Sequence, residues 1–187
     1  MRTFVAIELD DECRRSLATA IDQLEHAVSG IKWVDADSAH LTIKFIGQLD
    51  ENDVPRAVDV LNDAAADAEP FSMRVGRLSA FPSERRPRVI YASVEESTGV
   101  LQRLAERIDA GLADQLDVDR EKRDFIPHVT LGRVRKGQSC PPLEEFADAG
   151  DKSNFGRVQV EEIVLMKSDL TPRGAVYTPL EQIALGS

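Results

Sequence analysis

The sequence predicts an α+β protein of two similar lobes facing each other across a cleft. Three observations lead there. The 187-residue chain alternates strand-like and helix-like segments with no composition break that would mark a linker. Its apolar positions switch repeatedly between a period of two and a period near 3.6. One short signature, histidine-x-threonine-x with aliphatic x residues, occurs twice: His40-Leu41-Thr42-Ile43 and His128-Val129-Thr130-Leu131, one in each half. A single bilobal domain over 1–187 accommodates both.

Residues 2–8 alternate and read as a strand. Asp10 and Asp11 are N-cap candidates for a helix over 11–28, whose Leu17, Ile21, Leu24 and Val28 fall on one face. Gly30 ends it. A short strand over 31–34 and a turn over 35–39 lead to the first signature strand, 40–46. A second helix covers about 52–66, closed by Pro70, and strands follow over 71–80 and 88–94. Residues 81–88 between them read as a Pro-bounded loop carrying Arg85, Arg86 and Arg88. A third helix over 97–116 places Val100, Leu101, Leu104, Ile108 and Leu112 on one face. A charged loop, 117–124, leads to the second signature strand. Residues 135–150 are polar, with a short helix at 143–148; strands follow over 158–166 and about 175–182, the last after a turn over 171–174.

Composition narrows the function. Hydrophobic residues make up 42% of the chain and aromatics 5%, so an aliphatic core is expected. No apolar run approaches the ~20 residues that span a bilayer, and the first residues do not resemble a secretory signal; a cytoplasmic monomer is the expectation. Net charge is −10, with 17 arginines against 6 lysines. That field repels nucleic acid at long range. One hypothesis, prompted by the acidity and scarce lysine, is adaptation to high salt; a melting curve unchanged between low and multimolar KCl would sink it. Cys13 and Cys140 have neither metal nor disulfide spacing, and His26 reads as an ordinary helix residue.

On a strand, side chains alternate faces, so His40 and Thr42 share one face, as do His128 and Thr130. Two facing histidines supply a general acid and a general base, since the free imidazole pKa lies near 6.5. Threonine hydroxyls beside them donate to non-bridging oxygens, which suits in-line displacement at phosphorus. Arg133 lies five residues after His128, so it faces away on a regular strand and needs a bend near Gly132 to reach the same site. A zinc set is the rival reading, with Asp35, Asp37 or Asp124 as a third ligand. There is no Gly-x-Ser-x-Gly, P-loop or Gly-x-Gly-x-x-Gly.

These residues resemble the 2H phosphoesterase superfamily, which paired His-x-Thr-x motifs mark. The Arg2–Glu8 strand, Lys32-Trp33-Val34, His40–Gly47, Phe81-Pro82-Ser83 with Arg86-Pro87-Arg88, Pro127–Arg133, and Lys167–Pro172 with Gly174 and Tyr177 narrow the likeness nearly end to end. It is to the RNA 2′,3′-cyclic phosphodiesterases, long called 2′-5′ RNA ligases. The resemblance implies two pseudo-symmetric lobes, each an antiparallel sheet with helices packed outside, and an active-site cleft between them. It implies hydrolysis of RNA 2′,3′-cyclic phosphate ends to 2′-phosphates with no metal and no cofactor, and a secondary reverse ligation. By position, His40 is the acid, His128 the base, Thr42 and Thr130 hold the non-bridging oxygens, and Arg133 contacts phosphate or nearby RNA. The acidic surface argues for a short RNA footprint, for which Arg85, Arg86, Arg88 and Phe45 are the candidates; Phe45 has a competing reading as core, the arginines as a solvated loop. The alternatives are a phosphodiesterase for small cyclic-phosphate nucleotides and a non-catalytic RNA-end or nucleotide-binding module.

Overall fold

Alternating and helical segments condense into nine strands and three helices among the residues that the computed structural model describes: 1–150, 154–172 and 174–186. The strands are β1 (Arg2–Glu8), β2 (Ile31–Trp33), β3 (His40–Gln48), β4 (Phe71–Ser83), β5 (Arg86–Glu95), β6 (His128–Val134), β7 (Asn154–Val160), β8 (Glu162–Thr171) and β9 (Gly174–Ala184). The helices form where the apolar spacing demands them. Asp10 caps α1 (Asp11–Ala27), its carboxylate accepting the Cys13 N–H at 2.8 Å, a bond worth about 1 kcal/mol. Leu17, Ile21 and Leu24 form its buried face. α2 (Val54–Ala66) carries Pro55 in its first turn, where a missing N–H costs nothing. α3 (Val100–Gln115) buries Leu101, Leu104, Ile108 and Leu112, each contributing about 1.5–3 kcal/mol of apolar burial. Among the described residues, no helix is long and apolar enough to cross a membrane.

All strand pairs are antiparallel, in the order β7-β4-β5-β6-β3-β1-β8-β9, with β2 added on β6. The middle of this order is thin: β3 and β6 pair at Leu41↔Val129. The ladder is therefore two four-stranded sheets, β3-β1-β8-β9 and β6-β5-β4-β7, hinged on the residues that follow the two signature histidines. Neither sheet is one half of the chain. β8 and β9 join β1 and β3 from the far end of the sequence, while β4 crosses to pair with β5. The helices cross as well. α1 packs on β7 and β2, in the sheet opposite the strand it follows, and α3 packs on β3 and α2. One contiguous cluster of buried side chains runs through both sheets and includes Leu41 and Val129, each 0% exposed.

Three local expectations are corrected. The strand expected over 158–166 is two strands, β7 and β8, broken at Glu161: Phe71↔Val160 belongs to one sheet and Ile163↔Ile183 to the other. The inward positions change parity there, from 158 and 160 to 163 and 165. Residues 81–88 form a hairpin tip rather than a loop, with Ser83↔Arg86 paired. The helix at 143–148 is two 3₁₀ turns, Leu143–Glu145 and Ala147–Gly150. The turn at 171–174 closes with the Thr171 hydroxyl donating to the Gly174 carbonyl at 2.7 Å; Arg173 lies outside the described residues.

Candidate active site

Leu41 and Val129 point into the core, so the residues on either side of each point the other way. Carrying the antiparallel register at Leu41↔Val129 one residue in each direction sets His40 against Thr130 and Thr42 against His128. All four are half-exposed. The two signatures thus meet head to tail about a pseudo-two-fold axis, with histidines and threonines on alternating corners.

Both imidazoles are fixed in the same way. His40 Nδ1 donates to the Ser38 carbonyl at 2.9 Å, and His128 Nδ1 donates to the Ile126 carbonyl at 2.7 Å. A carbonyl only accepts, so each Nδ1 carries the proton and each Nε2 keeps its lone pair. Each ring also has two aromatic neighbours. His40 stacks on Phe4 (4.9 Å between centroids) and meets the edge of Tyr177 (5.0 Å). His128 meets Phe81 edge-on (5.1 Å) and Tyr91 (5.2 Å), which themselves stack at 4.3 Å. Phe4, Ala6, Val164 and Met166 form a small buried cluster on this face, with Tyr177 against it.

Burial lowers the proton affinity of both histidines below that of free imidazole, against the raising effect of their backbone hydrogen bonds. Their neighbouring charges differ. Glu8 raises His40, whereas Arg133 lowers His128 further. Glu8 is the cross-strand partner of His40 and is held by Arg14, Nη2 to Oε1 3.4 Å.

The bend that Arg133 needs is present as a register shift. Tyr91 pairs with Thr130 but Ile90 pairs with Gly132, leaving Leu131 as an extra residue. Leu131 and Gly132 are both buried, and alternation then turns Arg133 outward, onto the face of His128. Gly132 is demanded by this packing: a Cβ there would lie 2.7 Å from Trp33 Cε3 and 2.8 Å from Ile31 Cγ2. β3 carries the matching shift. Val5 pairs with Lys44 and Ala6 with Thr42, so Ile43 is extra, Ile43 and Lys44 are both buried, and Phe45 emerges 60% exposed. Phe45 lies 6.0 Å from the Phe4 ring that supports His40; the core reading of Phe45 does not hold. Phe45 and Arg133 occupy equivalent places in the two lobes.

Arg85, Arg86 and Arg88 are exposed at the β4–β5 tip. Arg88 Nη1 donates to the Gln138 carbonyl at 3.1 Å. Arg86 is five residues along β5 from Tyr91, about 17 Å at 3.3–3.4 Å per residue, so the structure does not gather it with the histidines. Among the described residues no three metal-ligating side chains come together, Asp35, Asp37 and Asp124 included. His26 is exposed in the last turn of α1, bonded to the Asp22 carbonyl at 2.7 Å.

Sequence reasoning missed the aromatic supports and Lys44. Phe4 was legible from alternation in β1, which groups Phe4, Ala6 and Glu8. Lys44 was not. Its Nζ contacts Asp109 Oδ1 at 2.5 Å and the Asp119 carbonyl at 2.7 Å, joining β3 to the connection that leads into His128.

Two histidines on the face opposite the core, each with a threonine, hinged about a pseudo-two-fold axis between two antiparallel sheets, define a phosphoesterase of the two-histidine class. The comparisons agree. The family model for LigT-like phosphoesterases matches twice, over residues 7–91 and 93–177, one match for each signature. A Methanothermobacter thermautotrophicus protein called RNA 2′,3′-cyclic phosphodiesterase is 32% identical over 99% of both chains. An Archaeoglobus fulgidus protein of the same name is 33% identical, over 96% of this chain and 98% of its own. A crystal structure of a Thermus thermophilus protein superposes with a TM-score of 0.82 at 32% identity, covering 100% of this chain and 98% of that one. Escherichia coli LigT complexed with 3′-AMP shares the fold, with a TM-score of 0.77 at 22% identity, over 100% and 98%. The chain belongs to the LigT-like phosphoesterase family and is a hydrolase with cyclic phosphodiesterase activity.

Proposed function

We propose that the enzyme opens the 2′,3′-cyclic phosphate at the end of an RNA strand to a 2′-phosphate, by acid and base catalysis from His40 and His128 and without a metal ion. The observation that carries this reading is the matched pair of Nδ1–H···O=C bonds, which leaves both Nε2 atoms as the proton-transferring atoms. His128 Nε2 takes a proton from water as its oxygen attacks phosphorus. The P–O3′ bond breaks in line, and the Nε2 proton of a protonated His40 passes to O3′. Thr42 and Thr130 donate to the non-bridging oxygens, and Arg133 offsets the growing negative charge. The neighbouring charges favour this order. A carboxylate beside His40 helps it hold the acid's proton, and the guanidinium beside His128 keeps the base free.

The leaving oxygen belongs to the terminal ribose, so the nucleoside lies on the acid's side. Phe45 stands there as a stacking surface, and Arg133 occupies the equivalent place on the base's side. Arg85, Arg86 and Arg88 lie farther along the same sheet and would touch only the next phosphates of a short footprint. In the reverse direction the same histidines would join a cyclic phosphate to a 5′-hydroxyl, a minor reaction in water.

The test is turnover of an RNA oligonucleotide ending in a 2′,3′-cyclic phosphate, in EDTA, with 2′- and 3′-phosphate products resolved. A 2′-phosphate product, lost in folded His40→Ala and His128→Ala variants, is expected. Activity that returns only with a divalent metal would overturn the metal-free mechanism. Equal rates on a mononucleotide and an oligonucleotide would favour a small-nucleotide substrate.

A further inference from the structure

We propose that Glu8, set across the strand pair from His40 and anchored by Arg14, is a positioning residue for the acid histidine, and that it and Arg133 together break the site's two-fold symmetry and set the direction of proton flow. This rests on the two-histidine reading above and names what that reading leaves open: why two near-equivalent imidazoles take opposite roles.

The two signatures are alike in sequence, hydrogen bonding and aromatic support. Their cross-strand neighbours are not. On β1 the residue paired with His40 is Glu8; on β5 the residue paired with His128 is Ser93. β1 keeps regular alternation, because both extra residues, Ile43 and Ile46, are on β3, so Phe4, Ala6 and Glu8 share the face on which Phe4 stacks against His40. An acidic residue is thereby placed across from one histidine and a hydroxyl-bearing residue across from the other. Three residues past each threonine the difference reverses, with neutral Phe45 on the first strand and cationic Arg133 on the second. Both differences act in the same direction, since an anion stabilises an imidazolium and a cation destabilises one.

The other groups around His40 do not replace Glu8. Phe4 from β1 and Thr42 from its own strand bear no charge, and Tyr177 from β9 meets the imidazole with its ring edge. In the 3₁₀ turn ahead of His40, the Asp35 carboxylate accepts the Asp37 N–H at 3.0 Å, and Asp37 is exposed. Arg14, from α1, anchors the Glu8 carboxylate. Across the hinge, Arg133 sits beside His128.

The test is Glu8→Gln, a near-isosteric change at an exposed side chain, with Glu8→Asp as the conservative control. Two readouts are compared: the NMR titration of the His26, His40 and His128 rings, and the pH profile of kcat/KM on the cyclic-phosphate oligonucleotide. In Glu8→Gln the His40 midpoint moves to lower pH while His26 stays in place. The alkaline limb of the profile moves with it, so activity above neutrality falls several-fold while the acid limb is kept. Glu8→Asp restores much of both. A His40 midpoint unchanged in Glu8→Gln overturns the proposal, because a purely structural role would leave it in place. A midpoint that moves without the alkaline limb overturns the assignment of His40 as the acid instead.

Discussion

Lys44 and Asp109 offer the sharpest test of how β3 is held to α3 and to the connection that leads into β6. The ammonium is 7% exposed and the carboxylate 16%, with 2.5 Å between Nζ and Oδ1. The two partners are not equally dependent on each other. Without Lys44, Asp109 keeps Arg120 Nε at 3.2 Å and the Glu121 N–H at 3.0 Å. Lys44→Met therefore removes two charge-assisted hydrogen bonds, but it strands no charge and recovers the desolvation cost of a buried ammonium, so a net loss of about 1.5–3 kcal/mol is expected. Without Asp109, the ammonium keeps only the Asp119 carbonyl among the described residues. Asp109→Leu strands a buried cation and should cost about 3–5 kcal/mol. The double variant removes both charges and should cost less than the sum by about 1–3 kcal/mol. At about 2–4 °C per kcal/mol for a chain of this size, the Tm losses are about 3–12 °C and 6–20 °C. Urea unfolding of the four proteins measures the cycle. Lys44→Met costing as much as Asp109→Leu, or strict additivity, would refute the argument. Asp119 and Glu121 lie on the connection to Ile126, whose carbonyl orients His128, so kcat should fall in the same variants.

Asp109 also carries a pH signature. Burial alone would raise its carboxyl, but the Lys44 and Glu121 hydrogen bonds and the Lys44 and Arg120 charges outweigh that and hold it below its usual value. The resulting stability is present above the unfolded carboxyl pKa, near 3.9, and disappears as pH falls through the folded value; Asp109→Asn should flatten that part of an acid-unfolding curve. Gly132→Ala pushes a Cβ to within 2.7 Å of the Trp33 ring, and overpacking of this kind costs about 1–3 kcal/mol; calorimetry should show the loss, together with a drop in kcat as Arg133 shifts, and a neutral substitution would show that β2 yields freely. Phe45→Ala exposes no core, so Tm should stay put while KM for the oligonucleotide rises about 5- to 150-fold, the range for a lost stacking contact of about 1–3 kcal/mol; an unchanged KM would remove Phe45 from the site. Because burial places both histidines below free imidazole, kcat/KM should peak below about pH 6.5, and a peak above neutrality would contradict the environments described for them.

Much of the fold, and the shared faces at the centre of the candidate site, could be read directly. Helix faces followed from apolar spacing in 11–28 and 97–116, because a helix buries every third or fourth residue whatever packs on it. His40 with Thr42, and His128 with Thr130, share a face because alternation is a property of the strand itself. Other residues depended on the partner strand. Phe45 and Arg133 reach the site only because Ile43 and Leu131 are extra residues in their registers, and a register exists only between two strands. The parity change between Val160 and Ile163 was visible in the sequence, but not that it carries the chain from one sheet to the other.

The sequence by itself determined which residues the two signature strands display on one face, two histidines and two threonines, each set by local geometry over a few residues. The tertiary structure decided how those strands meet. Pairing at Leu41↔Val129 brought together residues nearly half a chain apart, β8 and β4 were exchanged between halves, Lys44 found Asp109 in another element, and Glu8 was set beside one histidine and Ser93 beside the other. None of these is encoded at short range, because each is an agreement between surfaces that come into contact only once the core has formed.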